Sequence, residues 1–190
     1  MNMKLPFKKI NPGAVTPKKA TTCAAAYDLS VPEDVIVKPG RQIIPLGIAL
    51  EMENDYQALV EPRSGFSSKG MEGYHVLAFN VGFDMAYSAA ILALRALEQS
   101  EDNSLKNRRY ISVDPERFDC DVIQGKIDAD YRDGIGVILN NRDKRTFMIK
   151  AGTRIAQLTF LKVENVEWEE VDTLSETDRE GGFGSTGTGA

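Results

Sequence analysis

Gly125-Lys126-Ile127-Asp128-Ala129-Asp130-Tyr131-Arg132 is the stretch on which the reading of this 190-residue chain turns. Gly, Lys and Ile read as the end of a strand. The Asp-Ala-Asp-Tyr that follows reads as a turn holding two carboxylates and an aromatic ring. Just beyond it, Asp133-Gly134 is a strong signal for a tight connection between two strands, because both residues tolerate the left-handed backbone such connections need. An apolar run over 135–140 completes a predicted β-hairpin with Asp128 near one end. Taken by itself, such an element is as well explained by an acidic surface hairpin as by a site.

Moving outward, the same grammar repeats. Runs rich in Val, Ile and Leu cover 34–38 and 42–51, with Lys38-Pro39-Gly40-Arg41 as the turn between them. Further strands are predicted over 56–60, 146–149 and 154–161, and an edge strand over 3–10 precedes an extended arm. Short β-branched runs broken by turn residues at this spacing predict an all-β sandwich or barrel. Asp28 falls inside a small-then-apolar run, Ala24-Ala25-Ala26-Tyr27-Asp28-Leu29. A carboxylate placed there needs a hydrogen-bonded or charged partner. Pro62-Arg63-Ser64-Gly65 closes a strand with a guanidinium fork, a hydroxyl and a glycine, a set suited either to an anion or to the start of a helix.

Residues 71–122 depart from the β pattern. A helix is predicted over 84–99, N-capped by Asp84, with Phe83, Tyr87, Ala90, Ile91, Leu94 and Leu97 as its apolar stripe. Core packing is the ordinary use of such a stripe, and a partner-binding face the alternative. Near the other end, Trp168 in the acidic 164–170 stretch reads as a packing residue. Over 175–190, Arg179 and Phe183 stand among glycines and hydroxyls, which suits an arm that closes over a nucleotide.

Composition narrows the classes. A net charge of −5 leaves no basic footprint for nucleic acid. His75 is the only histidine, so a histidine-based triad cannot be built within one chain. Cys23 and Cys120 are far apart and form neither a disulfide framework nor a zinc spacing, which points to a reducing cytoplasm. No apolar run is long enough to span a membrane.

Five stretches, in order, resemble the five motifs of the trimeric dUTP diphosphatases (dUTPases). They are Ala25-Ala26-Tyr27-Asp28-Leu29, Pro62-Arg63-Ser64-Gly65, the opening stretch, Gly152-Thr153-Arg154-Ile155-Ala156-Gln157, and the run from Arg179 to Gly187 around Gly182-Phe183-Gly184-Ser185-Thr186-Gly187. The resemblance spans nearly the whole chain outside 71–122.

It implies one mainly β domain over 1–190, a jelly-roll-like barrel, with a helical insert at about 71–118 and a C-terminal arm, 175–190, exchanged between subunits of a homotrimer. It implies hydrolysis of dUTP to dUMP and diphosphate, assisted by Mg2+, keeping uracil out of DNA. By the same resemblance Asp128 is the catalytic residue that activates water. Tyr131 packs on the deoxyribose, and the backbone around Ile127 reads uracil. Arg63, Ser64 and Gly65 hold phosphates, and Gln157 places a phosphate or a water. Arg179, Gly184, Ser185 and Thr186 close on the outer phosphates, and Phe183 stacks on the base. Asp28 supports the site by holding an arginine or a metal-bound water, while Mg2+ itself rides on the phosphates without a direct protein ligand.

The chain departs from the family pattern at Ala26, at Val122, at Asp133-Gly134, in an Arg179-to-Phe183 spacing shorter by one residue, and above all in the insert. Two other readings compete. One is a dCTP deaminase relative, against which the Gly-rich Phe arm argues. The other is a regulatory module of the same fold that binds a protein partner through the insert.

Overall fold

The computed structural model describes residues 4–76 and 114–178. The predicted 84–99 helix, any strand over 110–113, and the arm residues Arg179, Phe183, Gly184, Ser185 and Thr186 lie outside the described residues.

Thirteen strands and one short helix follow one another in these two spans. β1 (Phe7–Lys9), β2 (Tyr27–Ser30), β3 (Val35–Val37), β4 (Gly40–Pro45), β5 (Ile48–Leu50) and β6 (Tyr56–Glu61) precede α1 (Ser64–Lys69) and β7 (Met71–His75). After the insert come β8 (Glu116–Phe118), β9 (Cys120–Ile123), β10 (Gly125–Ile127), β11 (Gly136–Asn141), β12 (Phe147–Ile149) and β13 (Arg154–Lys162). The architecture is mainly β, as the alternation of β-branched runs and turn residues predicts.

Sheet partners are distant in sequence. One sheet runs β10-β6-β13-β2, a second β4-β11-β9, a third β3-β12-β7-β8, and β1 pairs with β5. The turn at 38–41 therefore separates strands of different sheets, since β3 pairs with β12 and β4 with β11. The apolar run over 42–51 is cut in two at Gly47, whose φ of +69° favours glycine and whose added Cβ would meet Asn11 at 2.5 Å. Phe147, Leu29, Leu46, Ile48, Ile135 and Leu158 are among the fully buried side chains of the core. Asn141, also buried, is satisfied: it donates to the carbonyls of Val37 and Arg145 and accepts from the Asp143 amide.

The predicted hairpin is not formed. β10 pairs with β6, and β11 pairs with β4 and β9, so the strands flanking Asp133-Gly134 join different sheets. Long-range pairing holds both strands, with one edge of β10 left unpaired, and the connection between them stays open. Two residues singled out in the sequence, Val122 and Trp168, are placed by the fold. Val122 points into the core, while its neighbour Ile123 faces outward toward the open connection. Trp168 packs on no core here: it is 92% exposed, in a segment from 161 to 178 that is exposed throughout.

The insert leaves and returns through one β-ribbon. β7 pairs antiparallel with β8, Met71 opposite Phe118 and Gly73 opposite Glu116. Phe118 stacks on the buried Phe147 with ring centroids 4.0 Å apart. Gly70 has a φ of +75°, and an added Cβ would lie 2.6 Å from the Phe118 carbonyl oxygen, so the return strand presses directly on the residue that ends α1.

Candidate active site

The open connection after β10 encloses a cavity of about 330 Å3. Gly125, Ile127, Asp128, Tyr131 and Gly134 form its lip, and Val60, Ile123, Ile135 and Ile138 its apolar floor and walls, together with Ile43 and Pro45 of β4. Gly136 allows β4 to come close: a Cβ there would sit 2.5 Å from Ile43 Cγ2. The loop is held by its own ring. The Tyr131 amide donates to the Asp128 carbonyl at 3.1 Å, and the Tyr131 hydroxyl donates to the Gly134 carbonyl at 3.2 Å.

Ile127 turns its side chain inward, so only its backbone faces the cavity. β10 is the terminal strand of its sheet. Its outer edge therefore carries backbone donors and acceptors that no neighbouring strand takes. Asp128 is exposed at the lip, and its carboxylate makes no hydrogen bond among the described residues.

A second wall is built on β2, the end of β6 and β13. Asp28 lies opposite Gln157, and Gln157 lies opposite Glu61, which puts all three side chains on one face of the sheet. Arg63 Nε donates to Asp28 Oδ1 at 2.7 Å, and an Arg154 guanidinium nitrogen donates to Asp28 Oδ2 at 3.0 Å. The Asp28 side chain is 15% exposed, so it is a mostly buried carboxylate with both oxygens engaged by cations. The register shift between Arg154 and Ala156 is what brings Arg154 to this carboxylate. Glu61 accepts from Thr159 at 2.7 Å on the same sheet.

Arg63 and Arg154 then face a cavity of about 490 Å3 beside α1. Gly65, Gly152 and Thr153 contribute backbone to it, and Lys69 and Arg117 contribute further cations. Ser64 is exposed at the start of α1, where Arg63 in extended conformation forms the N-cap.

The structure thus groups Asp28, Arg63, Ser64, Gly65 and Gln157 on one wall and Ile127, Asp128 and Tyr131 on another. The two cavities share no lining residue. Sequence reasoning missed Arg154, Lys69 and Arg117 as parts of the cationic wall. Arg154 sits inside a motif already singled out, so its charge two positions before the buried Ala156 was a usable signal. Arg117 carries no such signal, because only the fold brings β8 against α1.

No group of three or more His, Cys, Asp or Glu side chains placed to hold a metal occurs among the described residues. With both Asp28 oxygens taken by guanidinium groups, the donor set suits a divalent ion brought in on phosphates and water rather than one caged by protein. None of the helices described is long and apolar enough to cross a membrane.

Comparison with solved structures places this fold in a known class. The dUTPase of Staphylococcus bacteriophage 80alpha, in a mutant bound to dUpNHpp, superposes with a TM-score of 0.68 at 21% identity, covering 98% of this chain and all of the other. A mutant of the phage phi11 dUTPase of S. aureus, whose structure describes a structural Mg(II) ion, superposes with a TM-score of 0.60 at 18% identity over 90% of this chain and 98% of its own. In sequence, the deoxyuridine 5'-triphosphate nucleotidohydrolase of Nautilia profundicola is 36% identical over 97% of this chain and 99% of its own length. The dUTPase family model matches residues 13–76 and 119–187, the gap between them falling on the insert. The chain belongs to the dUTPase family.

Proposed function

We propose that this chain is a dUTP diphosphatase that works as a homotrimer, with each site shared between subunits. The observation that carries this reading is the division of the site into two walls without a common residue. An apolar cavity with free backbone groups suits a base and sugar. A cationic cavity suits a triphosphate. Apposition of one subunit's Asp128 lip to another's Arg63 wall completes a nucleoside triphosphate site.

In this reading the outer edge of β10 pairs with the uracil edge, and the apolar floor beneath it receives the ring. Tyr131, held by its bond to Gly134, lies under the deoxyribose where a 2′-hydroxyl would clash. Arg63, Ser64 and Gly65 bind the phosphates, with Arg63 fixed in direction by Asp28. Gln157 orients a phosphate oxygen or a water. Asp128 takes a proton from the water as its oxygen bonds to the α-phosphorus, while the bond from that phosphorus to the oxygen bridging to the β-phosphate breaks and diphosphate leaves. Mg2+, carried on the phosphates, supplies charge neutralisation. Arg179, Gly184, Ser185 and Thr186 would close on the outer phosphates, and Phe183 would stack on uracil, a contact of about 1–3 kcal/mol. The family likeness, the single histidine and the cytoplasmic reading of the two cysteines agree with a nucleotide-pool enzyme.

The test is diphosphate release from dUTP, UTP, dCTP and dTTP with Mg2+, by wild type and Asp128→Asn. Turnover of dUTP alone, lost in the variant, is expected. Turnover of dCTP, or equal turnover in the variant, would overturn the assignment.

A second role has one supporting observation. The stems of the insert meet in a ribbon beside the cationic wall, so a protein partner held by the insert would sit next to the phosphates. A pull-down comparing the full chain with one shortened across 77–113 tests it, and equal capture by both removes the idea.

A further inference from the structure

We propose that Arg117, on the strand that returns from the insert, is an additional polyphosphate-binding residue of the cationic wall. This rests on the reading of that wall as the triphosphate side of the site.

Arg63, Lys69, Arg117 and Arg154 face the same cavity of about 490 Å3, and among the described residues Glu72 is the one acidic side chain lining it. Two of these cations are already committed: Asp28 engages Arg63 and Arg154 from behind, at 2.7 and 3.0 Å. Their directions are fixed and part of their charge is neutralised. Lys69 makes no ion pair among the described residues. Arg117 is held only loosely. It reaches the carbonyls of Lys69 and Gly70 at 3.5 and 3.4 Å and Glu72 at 3.3 Å, and both partners of that ion pair are more than half exposed. Such a pair contributes little to stability. A chain of phosphates entering the cavity offers the guanidinium shorter, charge-assisted bonds than the ones it gives up.

Arg117 also has a fixed base to act from. β8 is pinned against Gly70 and through Phe118 on Phe147, so the guanidinium is delivered to the cavity mouth by a rigid strand. Glu72 then acts as its counterweight, occupying Arg117 while the cavity is empty and opposing an incoming polyanion.

The probe is inorganic triphosphate, with Mg2+, titrated into the full-length protein by calorimetry, beside steady-state kinetics on dUTP. Arg117→Gln is expected to weaken triphosphate binding about tenfold. It should raise KM for dUTP similarly with kcat within about twofold, and leave inhibition by dUMP unchanged. Arg117→Lys should recover part of the loss. Glu72→Gln should tighten triphosphate binding about threefold, and that gain should vanish when Arg117 is also Gln; it tests the same idea if Arg117→Gln folds poorly. Unchanged triphosphate binding in Arg117→Gln, or a parallel loss of dUMP and triphosphate binding, would overturn the assignment. If triphosphate binding responds as expected but wild type does not hydrolyse dUTP, Arg117 keeps its role and the diphosphatase reading is the one that fails.

Discussion

Two aspartates face opposite halves of the site and live under different rules. Asp28 is mostly buried and gripped by two guanidinium groups. Asp128 stands exposed on an open loop, with no hydrogen bond among the described residues. The first spends its charge on architecture: it aims Arg63 and ties β2 to β13. The second carries a carboxylate that no described residue engages. A carboxylate that must accept a proton cannot also be saturated by cations, and a carboxylate that must hold two arginines cannot be left in water. Each sits in surroundings that suit the role proposed for it.

The sharpest way to break this contrast is Asp128→Asn. Removing a positioned base costs about 10²–10⁴-fold in turnover. Diphosphate release should fall by that much while the melting temperature stays within about a degree. A large loss of stability would show that Asp128 is architectural after all.

Asp28→Asn should behave in the opposite way. It strands two guanidinium groups beside a partly buried amide, a cost of about 1–3 kcal/mol. For a chain of this length that corresponds to a melting temperature lower by about 2–10 °C. KM should rise through misaligned Arg63. Thermal unfolding that matches wild type would erase the distinction between the two carboxylates.

Tyr131→Ala probes the loop side alone. Without the ring and its bond to the Gly134 carbonyl, the preference for dUTP over UTP should fall about tenfold, read as the ratio of kcat/KM values. An unchanged ratio would place sugar selection elsewhere.

The smallest effect concerns a carboxylate outside the site. Hydrogen bonds from the Arg145 side chain hold the Asp143 carboxyl down at about 2, below its ordinary 3.8. A group depressed in the folded state stabilises fully above its unfolded value and loses that contribution as pH falls through its folded one. Asp143→Asn should therefore lower the melting temperature by about 2–4 °C at pH 7 and converge with wild type below about pH 2–3. Equal sensitivity to acid in both proteins would contradict the pairing.

Much of this was legible in the residues. The strands β6, β11 and β13 follow from β-branched runs bounded by turns, and Asp28, Arg63, Asp128, Tyr131 and Gln157 lie in stretches that resembled dUTPase motifs. What escaped was non-local. Asp133-Gly134 is a hairpin signal only when its two flanking strands have no better partners, and here each has one. Val122 and Ile123 cannot be told apart by type; only the direction of β9 sends one inward and the other to the cavity. Trp168 reads as core by its size, yet its segment leaves the sheet after β13 and its side chain is exposed. Arg117 and Lys69 meet through a strand contact that no local pattern encodes. Residues 77–113 and 179–190, which include the predicted helix and the arm, lie beyond the described structure.

The paired stems of the insert carry a consequence for how this chain can change. Because β7 and β8 run side by side, the points of departure and return are adjacent. Whatever lies between them can be lengthened, exchanged or spliced out at a closure cost that grows only with the logarithm of its length. That position can therefore accept new sequence while the strand order around it stays the same.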